Sequence, residues 1–456
     1  MQKQLEDYVR SLGLDAYLVG GAIRDELLGR DSKDADFLVL GVDHEQLRAQ
    51  LEPHGRVEDL EVAGQRVGLR LWPRDKVIRK LARNGIELAP PRRERSTGPG
   101  RHDFEIVVDA SASVKDDLER RDFTVNAIAR RLADDELVDP FGGQEDLGDR
   151  VLRTVSPRSF AEDPLRLVRG VRLVSQLDLA PDDETLRQML DEAAGVKLVS
   201  GERIGGGLQA DGMGELSKLL LGARPAKALR LARDTGILVA MIPEFEAAIG
   251  YDAGNARQGG SVDEHIFRVV ESAPQSLAVR LAALLHDLGK PHVDVAEHAG
   301  EGARIADRVL ERLRYPTRLR RYVVALVRAH AFQTDEVDEL YARRFLRDHG
   351  DELARDLVAH KEADLRAKNV DDEELARTLR LRELMEQEAS QPHRVSDLAV
   401  DGSDLLELGY AEGPAVGTTL DDLLDVVIED PTQNRKARLL ELAKARLLEL
   451  AKDRLS

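Results

Sequence analysis

Cysteine is absent from all 456 residues. That excludes disulfides and thiolate metal sites, so any bound ion must be held by histidine, aspartate or glutamate. Aromatic residues make up only 4% while leucine and alanine are abundant, a balance that predicts a mainly helical protein. No apolar run approaches the roughly 18 residues of a membrane span. Met1-Gln2-Lys3-Gln4-Leu5-Glu6 lacks the apolar stretch of a signal peptide, so the expected location is the cytoplasm, with no membrane partner. Basic charge is also in deficit: 67 Lys and Arg against 85 Asp and Glu give −18. Such a balance argues against indiscriminate nucleic-acid binding, because phosphate attraction follows local cationic groups. A nucleic acid would need a local basic face, for which Arg312, Arg314, Arg318, Arg320 and Arg321, or Arg435, Lys436, Arg438, Lys444 and Arg446 near the C-terminus, are candidates.

Against these absences stands one dense segment. Asp15-Ala16-Tyr17-Leu18-Val19 reads as a short strand. Gly20 and Gly21 then let the backbone turn into a helix over Ala22–Leu28. A glycine turn opening a helix presents free N–H groups and a positive dipole end, which suits a phosphate chain. The next apolar run, Asp34–Leu40, reads as a strand on which Asp34 and Asp36 share one face while Ala35 and Phe37 take the other. Two carboxylates about 7 Å apart on a strand can share a pair of divalent ions, as nucleotidyl transfer requires.

Gly20-Gly21-Ala22-Ile23-Arg24-Asp25 and Asp34-Ala35-Asp36 resemble the first motif of the class II tRNA nucleotidyltransferase and bacterial poly(A) polymerase family. The resemblance continues through Arg120-Arg121-Asp122-Phe123-Thr124-Val125-Asn126-Ala127-Ile128-Ala129, Asp139-Pro140-Phe141-Gly142-Gly143 and Glu162-Asp163-Pro164-Leu165-Arg166. Glu202-Arg203-Ile204 and His286-Asp287 also match patterns of family members. It implies an α+β protein: a polymerase-β-like palm (1–150), a helical neck that reads the base (151–222), a helical body with an HD module (223–380) and a helical, tRNA-binding tail (381–456). The implied reaction is template-independent addition of C and/or A (CCA) from CTP and ATP to tRNA 3′ ends, with Asp34 and Asp36 holding two Mg²⁺. Gly20, Gly21 and Arg24 would steady phosphates. Arg121, Asp122 and Asn126 belong to the implied nucleotide-binding set, as do Asp163, Arg166, Arg169 and Arg172. Alternatives within the family are a CC-adding or A-adding specialist and a poly(A) polymerase. From another class, the rival is an HD-type nucleotide or cyclic-phosphate phosphohydrolase.

The residues themselves carry expectations about that set. A helix over Leu118–Arg130 would put Asp122 and Asn126, at i and i+4, on one face, fit to contact a ribose 2′-hydroxyl. Asp163 and Arg166, at i and i+3, would emerge together as acceptor and donor. Cytosine and adenine both offer an amine donor beside a ring-nitrogen acceptor, whereas uracil and guanine present the opposite order. The pair therefore fits C and A.

Strands are expected at Ala16–Val19, Ala35–Leu40, Arg66–Leu71, Phe104–Val108 and Glu136–Asp139. Pro90–Arg101, rich in Pro, Gly and Arg, reads as a basic loop. From about residue 151 the pattern is helical. Gly205-Gly206-Gly207, Gly212 and Gly214 have no local explanation there, since each glycine inside a helix costs about 1 kcal/mol. Lys436–Leu455 reads as a long amphipathic helix. A second constellation, His265, His286, Asp287 and Asp364, with His298 and His330 also available, resembles the HD phosphohydrolase pattern. Imidazole and carboxylate suit Mn²⁺, Ni²⁺ or Mg²⁺.

Overall fold

The computed structural model describes residues 2–30, 35–62, 65–96, 104–206, 213–254, 260–368 and 372–453. The chain forms two compact units, Met1–Glu246 with Val309–Pro316, and Ala247–Arg308 with Thr317–Ser456. A short later segment thus returns to the first unit.

The first unit is built on a mixed sheet of β1 (Ala16–Val19), β2 (Asp36–Val39), β3 (Gly55–Val62), β4 (Gln65–Pro73), β5 (Ile86–Ala89), β8 (Ala129–Arg131) and β9 (Leu137–Val138), in the order β3-β4-β5-β2-β1-β8-β9. Strands β2 and β5 run parallel; the other neighbours are antiparallel. Period-two alternation sorts the side chains. Leu18, Phe37 and Val39 enter one core with Leu5, Val9, Leu47 and Leu51 from the helices Gln2–Ser11 and His44–Leu51. Tyr17, Val19 and Leu38 enter a second core with Leu118, Ala127 and Ala129. Asp36 opposes Val19 at the open end of the sheet's centre, on the Leu38 face.

Two expectations fail here. Leu118–Arg130 is not a helix: Val114–Glu119 is helical, Thr124–Asn126 is one 3₁₀ turn, and Ala129–Arg131 is β8. Phe123 bridges Thr154 and its N–H bonds the Asp122 side chain at 2.8 Å. These backbone partners compete with the helical ones. Nor is Pro90–Arg101 simply a loop, because β6 (Arg92–Ser96) pairs with β7 (Phe104–Val108); residues 97–103 lie outside the described residues.

Helices follow from Ser159 onward, among them Leu165–Leu177, Glu215–Leu220 and Pro225–Asp234. Here the glycine load finds its reason. The returning segment Leu313–Tyr315 lies directly on Gly205 and Gly206, and Gly206 N–H donates to the Leu313 carbonyl at 3.0 Å. A Cβ on Gly206 would come within 2.0 Å of the Arg314 carbonyl oxygen. Gly207 and Gly212 lie outside the described residues.

The second unit is helical. Among the described residues no helix is long and apolar enough to cross a membrane. The C-terminal helix Lys436–Asp453 buries Leu439 and Ala443 against Tyr410, Leu423 and Val427.

The close approach at Gly206 is testable. Gly206→Ala should lose about 1–3 kcal/mol through overpacking and lower the thermal midpoint. Gly148→Ala, whose Cβ would meet nothing within 4 Å, should leave it unchanged or raise it. Equal midpoints would mean that the Leu313–Tyr315 chain yields freely.

Candidate active site and metal centre

In the first unit a cleft of about 690 Å³ gathers the motif residues. Gly20 turns with φ +78°, and a Cβ there would sit 2.7 Å from Arg121 Nη1, so glycine lets this guanidinium lie against the turn. The helix Gly21–Leu27 then presents Arg24, which donates to Asp25 Oδ1 at 2.7 and 2.9 Å and to Asn126 Oδ1 at 2.6 Å. Asp36 is exposed into the same cleft. Asp34 lies outside the described residues.

Asp122 is the hub of the wall behind it. Its carboxylate accepts from Phe123 N–H at 2.8 Å, Asn126 Nδ2 at 2.9 Å and Arg169 Nη1 at 3.1 Å. Burial works to raise its pKa, but Arg169 and these donors win and hold it at about 2. Arg169 continues to Glu215 at 3.5 Å, and Glu215 also faces Arg172 at 3.1 Å. Burial lowers the Arg172 pKa against the pull of Glu215. Asp122 and Asn126 therefore meet without sharing a helix face.

The pair Asp163 and Arg166 is not arranged as expected. Asp163, in extended backbone, closes the short helix Ser159–Glu162, whereas Arg166 lies in the next helix. Asp163 pairs with Arg203 at 3.1 Å. Arg166 is buried and donates to Ser159 O and Oγ at 3.2 and 3.1 Å and to Arg120 O at 2.7 Å. Both residues nevertheless line the cleft with Arg169 and Arg172.

Sequence reasoning did not single out Asp117 or the cleft role of Glu215. Asp117 is buried and bonds Arg120 at 2.6 and 2.9 Å and Arg121 at 3.2 Å. Burial opposes its ionisation, yet the two arginines hold its carboxyl below the usual range. The i, i+3 and i, i+4 spacings to these arginines were the available signal. Several arginines and lysines proposed for a basic face are ion-paired: Arg312 with Glu244, Arg320 with Asp307, Lys436 with Asp404 and Arg446 with Asp422.

The second unit assembles the HD constellation. Helix Leu277–Leu285 delivers His286 at its C-terminus with Asp287 next; His265 stands on Val262–Ser272 and Asp364 on Asp351–Ala367. His265 Nε2 approaches Asp364 Oδ1 to 2.9 Å and Asp287 Oδ2 to 3.6 Å, and His286 Nε2 lies 3.2 Å from Asp287 Oδ2. His265 Nε2, His286 Nε2 and Asp364 Oδ1 are buried, lack an aligned hydrogen-bond partner, and lie within 4.8 Å of one another. These are the donor types a transition-metal ion takes. Burial lowers the His265 pKa, which keeps the imidazole neutral. Burial would raise both carboxyls, but the surrounding imidazoles and Lys290 or Lys368 hold Asp287 and Asp364 well below their ordinary range.

Comparison with known proteins places three known domains along the chain. Residues 16–153 match the poly A polymerase head domain, 178–249 the probable RNA and SrmB-binding site of polymerase A, and 262–367 the HD domain. The chain is 35% identical over 337 residues to the multifunctional CCA protein of Ralstonia nicotianae, covering 70% of this chain and 72% of that one. It is 37% identical over 329 residues to that of Azoarcus sp., covering 69% and 73%. Among solved structures, the Bacillus stearothermophilus CCA-adding enzyme in complex with CTP matches with a TM-score of 0.69 at 25% identity, over 99% of this chain and 98% of that one. The Thermotoga maritima CCA-adding enzyme complexed with tRNA shares the fold, with a TM-score of 0.60 at 20% identity over 97% and 94%. With a polymerase head, an RNA-binding region and an HD domain matched in order, the chain belongs to the CCA-adding tRNA nucleotidyltransferase and bacterial poly(A) polymerase family.

Proposed function

We propose that this chain adds C and A, from CTP and ATP and without a template, to tRNA 3′ ends, yielding CCA and pyrophosphate. The observation that carries the reading is the single cleft in which Asp36 faces Arg24, Arg121 and the buried Asp122–Arg169 pair. Family membership brings divalent-metal use with it. Mg²⁺ on Asp34 and Asp36 is our assignment, and their carboxylate oxygens are the hard donors this ion prefers. When bound, such ions neutralise charge on the reacting phosphates and orient the attacking 3′-hydroxyl.

The chain's own residues do the rest. Arg24 and Arg121 hold the triphosphate beside the Gly20–Gly21 turn. Asp122 has about four lone-pair sites, of which Phe123, Asn126 and Arg169 occupy three. The remaining one is available to a ribose 2′-hydroxyl. Asp163 accepts from the amine of cytosine or adenine, and Arg166, braced by Ser159 and the Arg120 carbonyl, donates to the ring nitrogen. Arg169 and Arg172 complete the charge around the nucleotide.

A second activity has its own support in the buried donor atoms of His265, His286, Asp287 and Asp364. This set would hold one Mn²⁺, Ni²⁺ or Mg²⁺ ion, which supplies an activated water for phosphoester hydrolysis. The residues position that ion, and Lys290, 2.6 Å from Asp287 Oδ2, keeps the carboxylate ionised.

Purified protein supplied with tRNA lacking CCA, CTP and ATP should extend the 3′ end, read at single-nucleotide resolution. Asp34→Ala and Asp36→Ala should each abolish addition while tRNA binding persists. Activity within about tenfold of the parent would place the catalytic metals elsewhere.

Arg166→Ala should raise UTP incorporation relative to CTP, because a bidentate-type contact carries roughly 1–3 kcal/mol of discrimination. If all nucleotides slow equally, Arg166 acts only through its contacts to Ser159 and Arg120.

Asp287→Ala should lose Mn²⁺- or Ni²⁺-dependent hydrolysis of 2′,3′-cyclic nucleotides and retain CCA addition. Loss of addition as well would show that this region serves the head. No hydrolysis by the parent protein with either ion would sink the hydrolytic reading.

A further inference from the structure

The HD centre contains more metal-binding groups than one ion uses. His298 and His330 are buried beside Asp287, and His360 is buried beside His286 and His330. They come from three places in the chain: the start of helix His298–Arg312, the residue after helix Thr317–Ala329, and helix Asp351–Ala367, one turn before Asp364.

Their orientation is informative. His330 Nδ1 lies 2.7 Å from the Val327 carbonyl, and His298 Nδ1 lies against the Val295 carbonyl. A carbonyl only accepts, so each Nδ1 carries the proton and each Nε2 presents a lone pair. The two Nε2 atoms face each other at 3.1 Å, and either a shared proton or a metal ion beside them satisfies both. His360 is fully enclosed and both of its ring nitrogens lack a partner. Its ring centre is 5.0 Å from that of His286 and 5.7 Å from that of His330.

Asp287 stands between the two sets of nitrogens. Its Oδ2 faces His286 and His265 at 3.2 and 3.6 Å; its Oδ1 faces His298 and His330 at 3.6 and 3.9 Å. A carboxylate with one oxygen turned to each cluster of imidazoles is placed as a bridging ligand. We infer that the HD module is a two-ion centre, in which Asp287 bridges the ion held by His265, His286 and Asp364 to a second transition-metal ion held by His298, His330 and His360. This rests on the one-ion reading above and adds the second ion. Two ions joined by a carboxylate clamp both the attacking and the leaving oxygen of a phosphoester, and imidazole-rich donors favour manganese's softer neighbours such as iron, cobalt and nickel.

Ion counting tests the inference without relying on turnover. The full chain carrying Asp34→Ala and Asp36→Ala, to silence the head, is dialysed to equilibrium against Mn²⁺, analysed for metal per chain, and measured by electron paramagnetic resonance. Two ions per chain with an exchange-coupled spectrum are expected. His298→Asn, His330→Asn and His360→Asn should each reduce the count to one, with the spectrum of an isolated ion, at unchanged circular dichroism. One uncoupled ion in the parent would overturn the inference and leave the one-ion site standing; no ion would overturn both. The parent spectrum decides the matter even if a variant misfolds.

Discussion

The buried carboxylate of Asp122 is the constraint from which the first unit's site follows. A charge with its access to water removed is tolerated only when paired and hydrogen-bonded. Asp122 meets that demand with donors from three places: its own chain at Phe123, the 3₁₀ turn at Asn126 and the neck helix at Arg169. Each consequence is local. Asn126 is oriented so that its oxygen receives Arg24, and Arg169 brings with it a helix that also carries Arg166 and Arg172. Residues lining the cleft from both sides are therefore held in one frame by one buried ion pair.

The frame also reconciles an acidic protein with polyanionic substrates. The whole chain carries −18, but Arg24, Arg121, Arg166, Arg169 and Arg172 converge on a single cleft. Local field, more than net charge, governs the capture of a triphosphate. Guanidinium is the suitable cation because it stays charged in a dry wall and its donors are fixed in a plane. The HD centre follows the opposite logic. Burial lowers the pKa of His265, His330 and His360, which favours neutral rings over fixed positive charge.

How far the sequence was legible depended on the range of the interactions concerned. Strand β1, the Gly20 turn and strand β2 were readable because apolar alternation and a glycine turn act over a few residues. The charged strand Gly55–Val62 was not, since its pairing with Gln65–Pro73 outweighs a composition poor in strand formers. The i, i+4 spacing of Asp122 and Asn126 imitates a helix, yet the same hydrogen bond forms across a 3₁₀ turn. Asp163 and Arg166 have helical spacing too, but the extended backbone at Asp163 separates them, and Asp163 pairs with Arg203.

By itself, the sequence determined which side chains were available to the two centres: carboxylates and guanidiniums near the N-terminus, imidazoles and carboxylates later, and no thiol anywhere. Residue chemistry is a local property and survives without a fold. Only the tertiary structure decided who meets whom. Glycines at 205 and 206 are costly in a helix and become necessary once Leu313–Tyr315 lies on their backbone, because no Cβ fits within 2.0 to 2.6 Å of a carbonyl oxygen. Likewise, nothing near His298, His330 or His360 in the chain announces that they will gather beside Asp287 and His286. Packing of helices distant in sequence brings them together and buries them.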